Sequence, residues 1–239
     1  MVKIGVSGAC GKMGKRIIAL SNQDNGLKVI FGLEAKGHCQ VGKIIDRVSI
    51  VDNLERIKDC DCLIEFTSAK ATIEHMAKVV EFKKSAVIGT TGLSADDKAK
   101  IKEAAKKVPI VFSPNMSVGV NLLFKLLKTA TSTLKGYQVS IEEAHHIHKK
   151  DAPSGTAKKI AEIINEQGLG IKTEDIRSIR EDEIVGDHRV VFESDVDRIE
   201  LAHSAKTRDI FAQGALTAAK WIVKRKPGLY SMEDVLFTK

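Results

Sequence analysis

The first half of the chain alternates short apolar, β-branched runs with stretches in which apolar residues recur at helical spacing. Residues 2–7 read as a first strand and 27–33 as a second, followed by 62–66, 86–89 and 110–112. Between them, 14–21 sets Ile17, Ile18 and Leu20 among lysine and arginine, and 71–83 and 94–107 repeat that helical texture. Ser94 with Asp96 and Asp97 behind it reads as a helix start, where acids interact favourably with the N-terminal dipole. Such strand–helix alternation predicts a parallel sheet built from βαβ units.

Beyond Met116 the pattern changes. Leu122, Leu123, Leu126 and Leu127 mark a helix, 138–142 a strand, and Ala157, Ile160, Ala161 and Ile164 another helix ending near Gly168. Residues 179–205 read as antiparallel, with alternation over 189–193 and 198–202, and 214–223 is helical again. The expected fold is therefore α/β first, then an α+β part with a mixed or antiparallel sheet. Only four prolines and no low-complexity linker interrupt the chain, so short hinges should join the parts.

Composition narrows the class. Hydrophobic residues make up 43% and charged residues 29%, as in an ordinary globular protein. No apolar run approaches the roughly 18 residues of a membrane span, and the chain opens on a strand-like segment rather than a secretory leader. A cytoplasmic protein with no membrane partner is expected. The four cysteines, Cys10, Cys39, Cys60 and Cys62, fit neither a redox pair nor a zinc knuckle. The net charge of +7 raises nucleic acid as a partner, but the lysines are dispersed and aromatics are only 5%, so no nucleic-acid role is expected.

Gly8, Gly11 and Gly14 form a GxxGxxG loop between the first strand and the first helix. Glycines allow a tight turn, close approach of a pyrophosphate and close helix–strand packing, while the helix start presents N–H groups to the phosphates. Glu34, at the end of the second strand, stands where a carboxylate accepts from the adenosine ribose. The first domain therefore reads as Rossmann-like and dinucleotide-binding. Glu34 favours the free ribose hydroxyl of NADH, whereas Lys12 and Lys36 are placed to pair with the phosphate of NADPH.

The densest chemistry lies in 143–156, Glu-Ala-His-His-Ile-His-Lys-Lys-Asp-Ala-Pro-Ser-Gly-Thr. Three of the seven histidines fall here, directly after the 138–142 strand and before a helix. Histidine exchanges protons near neutral pH, lysine adds fixed positive charge, and the backbone N–H groups of Gly155 and Thr156 face a carboxylate-binding position at the helix start. His145, His146 and His148 also invite a zinc reading. Adjacent strand residues point to opposite faces, however, and no cysteine lies near, so no metal site is expected.

These motifs resemble the 4-hydroxy-tetrahydrodipicolinate reductase (dihydrodipicolinate reductase) family over nearly the whole chain. The likeness rests on 8–14, 89–92, 113–121 and above all 143–156, with weaker matches at 184–188 and 211–215. The resemblance implies a proton donor/acceptor at His145, a second proton donor at Lys149, a substrate contact at His146, and a carboxylate-binding turn at Gly155 and Thr156. It implies cofactor contacts from Gly8, Ala9, Cys10, Gly11, Lys12, Met13 and Glu34. Gly89, Thr90, Thr91, Ser113, Pro114, Asn115 and Met116 would line the nicotinamide side. It further implies a dinucleotide-binding domain over 1–116, completed by 215–239, and a substrate-binding and tetramerisation domain over 117–214. The cofactor would be NADH, NADPH or both, the substrate a small cyclic dicarboxylate, and the assembly a homotetramer. Ala35 stands where the family often has a basic residue, so the cofactor's 2′-phosphate has no obvious partner there.

Overall fold

The computed structural model describes residues 1–238. In chain order the elements are β1 (Val2–Ser7), α1 (Lys12–Ser21), β2 (Leu27–Leu33), β3 (Ile44–Ile45), β4 (Val48–Val51), β5 (Cys62–Glu65), α2 (Ala69–Glu81), β6 (Ser85–Ile88), α3 (Ala95–Ala105) and β7 (Pro109–Phe112). There follow α4 (Val118–Thr133), β8 (Gln138–His145), α5 (Gly155–Asn165), β9 (Arg177–Arg180), β10 (Asp187–Glu193), β11 (Arg198–Ser204), α6 (Asp209–Ile222), β12 (Gly228–Tyr230) and α7 (Met232–Phe237). The chain forms two compact units, Met1–Ser117 with the segment from Phe211 onward, and Val118–Ile210.

The first unit holds an eight-stranded sheet in the order β12-β7-β6-β5-β1-β2-β4-β3, parallel throughout except for the β3–β4 hairpin. Alternating residues of each strand enter two different cores. Ile64, Val87 and Val111 pack with Ile17 and Ile18 of α1 and with Ala215, Ala218 and Ile222 of α6. Leu63, Ala86, Ile88 and Ile110 pack with Met76 and Val79 of α2 and Ile101 of α3. Strands buried on both faces explain why 62–64 and 86–88 read as apolar without alternation. Sheet growth reverses between β1 and β5, because β2 lies on one side of β1 and β5 on the other. A crevice for ligands is expected at the carboxyl ends of strands at such a reversal.

The second unit is a four-stranded sheet in the order β11-β10-β8-β9. Its core joins Ile141, Val190 and Phe192 to Leu123 and Leu127 of α4 and to Ile160 and Ile164 of α5. Leu122 and Leu126, which also follow the helical period, are exposed.

The two-part α/β architecture agrees with the pattern of the sequence, but several elements differ. β8 continues to His145, so His145 is inside the strand rather than after it. β9 runs parallel to β8 while the rest of that sheet is antiparallel, which makes it mixed. The hairpin of β3 and β4, the short β12 and the six-residue α7 were not foreseen, being too short to display a period. α6 begins at Asp209, ahead of the 214–223 expected.

Gly214 of α6 lies directly on the Met116 carbonyl, and a Cβ built there would overlap that oxygen. Gly214→Ala must therefore push α6 off the loop after β7, and overpacking of this kind costs about 1–3 kcal/mol. A urea unfolding midpoint lowered to match is expected, and an unchanged midpoint would contradict this close packing.

Candidate active site

In the first unit the glycine loop follows from contacts that exclude any side chain. Gly8 has φ +75, and a Cβ there would overlap the Phe66 carbonyl. A Cβ on Gly14 would strike the Gly8 carbonyl, so α1 rests directly on the loop. Gly11 caps α1 with no side-chain hydrogen bond, leaving that positive helix end without a capping side chain. Glu34 Oε1 accepts from the Cys10 backbone N–H at 2.7 Å, which ties the acid to the loop and leaves Oε2 for another donor. Burial and then the Glu34 carboxylate push the Cys10 thiol up, so it is not a thiolate at neutral pH.

At the carboxyl ends of β6 and β7 lie the other two loops. Gly89 abuts the Phe66 ring, and Thr90 is buried. Ser113 donates to the Asn115 carbonyl at 2.9 Å, and Asn115 Oδ1 accepts from the Ser117 N–H at 2.8 Å, which shapes 113–117 as a tight turn. Lys12, Thr91 and Pro114 are exposed, and Met13 is half-buried.

In the second unit, strand register assembles a polar cluster. Glu143 and His145, two apart on β8, share the face that carries Ile141. Across β10, Glu143 stands opposite His188; across β9, His145 stands opposite Arg180. The apolar core face thus ends in Glu143, His145, His188 and Arg180. The Glu143 side chain is fully buried, with one oxygen against His145 Nδ1 and the other accepting from Arg180 Nη2 at 2.8 Å. Burial alone would push this carboxyl up. Hydrogen bonds from His145 and Arg180 outweigh burial and hold it at about 2.

His188 lies edge-on to His145, with ring centroids 5.3 Å apart, and its Nε2 is 3.2 Å from Ser154 Oγ. Burial first, and then nearby His145, pull His188 down to about 4, so it is neutral at pH 7. Ser154 also caps α5 by accepting from the Ala157 N–H at 3.2 Å. The first-turn N–H groups of a helix lie outside its own ladder, and Gly155 and Thr156 open α5. Arg180 Nη2 also donates to the Asp151 carbonyl at 2.6 Å, anchoring the turn that carries Lys149. Lys149 Nζ makes a two-pronged pair with Asp151 at 2.7 and 2.9 Å and holds that carboxyl below its usual range.

The structure brings His145 together with Glu143, His188 and Arg180 rather than with His146 and His148. His146 sits in the turn after β8, half-buried, with Nδ1 unpartnered; burial and then Arg208 lower its basicity. His148 is exposed near Glu183. Two groups among the described residues bring metal-ligating atoms within 4.8 Å of one another, Cys10 with Glu34 and His38, and Glu143 with His145 and His188. Glu34 is already engaged by the Cys10 backbone, and His145 Nδ1 by Glu143.

Residues 2–116 match the family model described as "Dihydrodipicolinate reductase, N-terminus", and 119–236 match "Dihydrodipicolinate reductase, C-terminus". The chain belongs to the dihydrodipicolinate reductase family. Among its relatives, the 4-hydroxy-tetrahydrodipicolinate reductase of Syntrophus aciditrophicus is 42% identical over 99% of this chain and 98% of that protein. The protein of the same name from Methanosarcina barkeri is 40% identical over 99% of both. Among solved structures, the dipicolinate-bound dihydrodipicolinate reductase from Paenisporosarcina sp. TG-14 superposes with a TM-score of 0.84 at 23% identity, covering 99% of this chain and 100% of that one. The DAP dehydrogenase of C. glutamicum, in complex with DAP, shares the fold more remotely, at TM-score 0.60 and 11% identity over 100% of this chain and 96% of that one. Membership of the dihydrodipicolinate reductase family makes the chain an NAD(P)H-dependent oxidoreductase.

The buried His188 makes stability depend on pH in this dihydrodipicolinate reductase fold. Its folded value is about 4 against 6.5 for the ordinary group. Between those values the unfolded chain binds the proton and the folded chain does not. Its contribution is complete above pH 6.5 and is lost as pH falls toward 4, on the order of 3 kcal/mol in all. His188→Gln should therefore flatten the fall in urea midpoint between pH 6.5 and 4 relative to the parent. An identical slope in both proteins would show that His188 is not the group responsible.

Proposed function

We propose that the chain reduces 4-hydroxy-tetrahydrodipicolinate to tetrahydrodipicolinate with NADH or NADPH, a step of the diaminopimelate route to lysine. The observation that carries this reading is the cluster at the end of β8. A histidine is oriented by a buried carboxylate beside a cationic turn and a helix start, in a chain that matches the family over its full length. One substrate, one NAD(P)H and one proton give tetrahydrodipicolinate, NAD(P)⁺ and water. The dinucleotide supplies the hydride when bound.

The chain's own residues handle the protons and the charge. Glu143 holds the His145 Nδ1–H, leaving Nε2 as the atom that exchanges a proton. A Cβ on Gly186 would lie 3.0 Å from that Nε2, so glycine keeps its surroundings open. Lys149 serves as the second acid, assisting loss of the hydroxyl as water. His146, Lys149 and the Gly155–Thr156 helix start meet the two carboxylates with charge-assisted hydrogen bonds.

The first unit is the dinucleotide-binding part, with contacts from 8–13, Glu34, 89–91 and 113–116; the second binds substrate. Glu34 Oε2 accepts from a ribose hydroxyl, and exposed Lys12 and Lys36 serve a 2′-phosphate, which supports use of either cofactor. The exposed Val118, Leu122 and Leu126, on one face of α4, and Ile199 on β11 support assembly into a homotetramer through this unit. Among the described residues no helix is long and apolar enough to cross a membrane. A cytoplasmic enzyme without nucleic-acid partners is the setting that fits.

His145→Gln should lower kcat by about 10²- to 10⁴-fold while the dissociation constant for NADPH stays near the parent's. The measurement is steady-state NADPH oxidation with enzymatically generated substrate, alongside a fluorescence titration; near-parent turnover would refute the role. Lys149→Ala should lower kcat and raise the KM for the dicarboxylate, and an unchanged KM would remove Lys149 from the carboxylate contact.

A further inference from the structure

A line of polar side chains crosses the interior of the first unit at the carboxyl ends of β1, β5 and β6. Ser7, Glu65, Thr72, His75 and Thr90 are all buried. His75 Nδ1 of α2 lies 2.8 Å from Glu65 Oε2 and 3.1 Å from Ser7 Oγ. A carboxylate only accepts, so Nδ1 carries the proton. Thr67 Oγ1 donates to the other Glu65 oxygen. Thr72 Oγ1 donates to Thr90 Oγ1 at 2.9 Å, and the Thr67 backbone N–H donates to the same oxygen at 3.1 Å.

This network surrounds one short segment, Phe66–Thr67, on which both glycine turns are built. Gly8 turns against the Phe66 carbonyl, and Gly89 packs on the Phe66 ring. The Phe66 N–H donates to the Ser7 carbonyl at 3.3 Å, and the Gly89 N–H to the Glu65 carbonyl at 2.9 Å. Burying an imidazole and a carboxylate at the end of the apolar core beneath α2 is costly unless each is paired, and removing one partner leaves the other stranded. An apolar pair would hold the sheet equally well, so this polar pairing calls for a reason beyond packing.

We propose that His75 and Glu65 are positioning residues for the dinucleotide. Through Thr67 and Thr90 they fix the Phe66–Thr67 segment, and with it the spacing of the Gly8 and Gly89 turns, and so set cofactor affinity without touching the cofactor. The proposal rests on the reading that these turns hold NAD(P)H.

The test uses the full-length protein with Glu65→Gln, His75→Leu, His75→Asn and Thr72→Val. The last keeps side-chain shape, so the test survives if a charge variant fails to fold. Glu34→Ala serves as a direct-contact control. NADPH dissociation constants, steady-state parameters and unfolding midpoints are measured together. Expected for Glu65→Gln and His75→Leu is a rise of about tenfold in the NADPH dissociation constant, the loss of one hydrogen bond to a charged group, and for Thr72→Val a rise of about fivefold, the loss of one between neutral hydroxyls. The fall in kcat/KM for NADPH should be carried by KM. His75→Asn, which restores a donor toward Glu65, should recover most of the affinity. Lower unfolding midpoints with unchanged NADPH affinity, a loss carried by kcat instead, or no recovery with asparagine would each overturn the positioning role. If Glu34→Ala also leaves affinity unchanged, the assignment of these loops to the cofactor fails, and the proposal falls with it. If Glu34→Ala weakens binding and the network variants do not, the positioning role alone is wrong.

Discussion

A carboxylate withdrawn from water persists as an anion only if donors replace the lost solvent, and Glu143 obtains them from two directions. His145 comes from its own strand and Arg180 from the neighbouring one. That requirement constrains the second unit. β8 has to extend to His145 so that residues two apart share a face, and β9 has to run parallel in the register that sets Arg180 beside His145. The same guanidinium reaches the Asp151 carbonyl, so the turn bearing Lys149 is tied to the buried anion. A slip of one residue in β8 would turn Glu143 and His145 to the other face and dismantle the cluster.

The first unit depends on exclusion rather than on charge. Gly8 and Gly14 stand where backbone meets backbone, and neither admits a Cβ. This closeness lets the start of α1 approach an anion, and the Cys10–Glu34 hydrogen bond sets an acid at the loop's margin. In each unit the chemistry lies where an apolar sheet face gives out at strand ends. There a polar side chain keeps its partners at the margin of an apolar core.

Legibility in the sequence followed the range of the interactions. The glycine loop could be read because its strand, turn and helix are contiguous, and the density of His145, His146 and Lys149 is local in the same way. Glu143 was within reach: strand alternation pairs it with His145 once β8 is known to run that far, but the polar run from Glu142 hid the continuation. Arg180 carried no sequence signal, and His188 and Ser154 lay within family motifs that gave them no role, because each joins the cluster across a strand pairing or at a helix start. The parallel course of β9 was hidden for a related reason, since a four-residue strand shows the same alternation in either direction.

By itself, the sequence determined the alternation that builds a doubly wound sheet, the turn chemistry of 8–14 and the family to which the chain belongs. All of these depend on neighbours along the chain or on motif spacing. Tertiary structure alone decided which of three clustered histidines is buried against a carboxylate, which distant arginine completes that pair, and that Glu65 and His75 meet beneath the Phe66–Thr67 segment. The physical reason is that a buried charge is satisfied by whichever partner the packing delivers, and packing is set by register and crossover rather than by order along the chain.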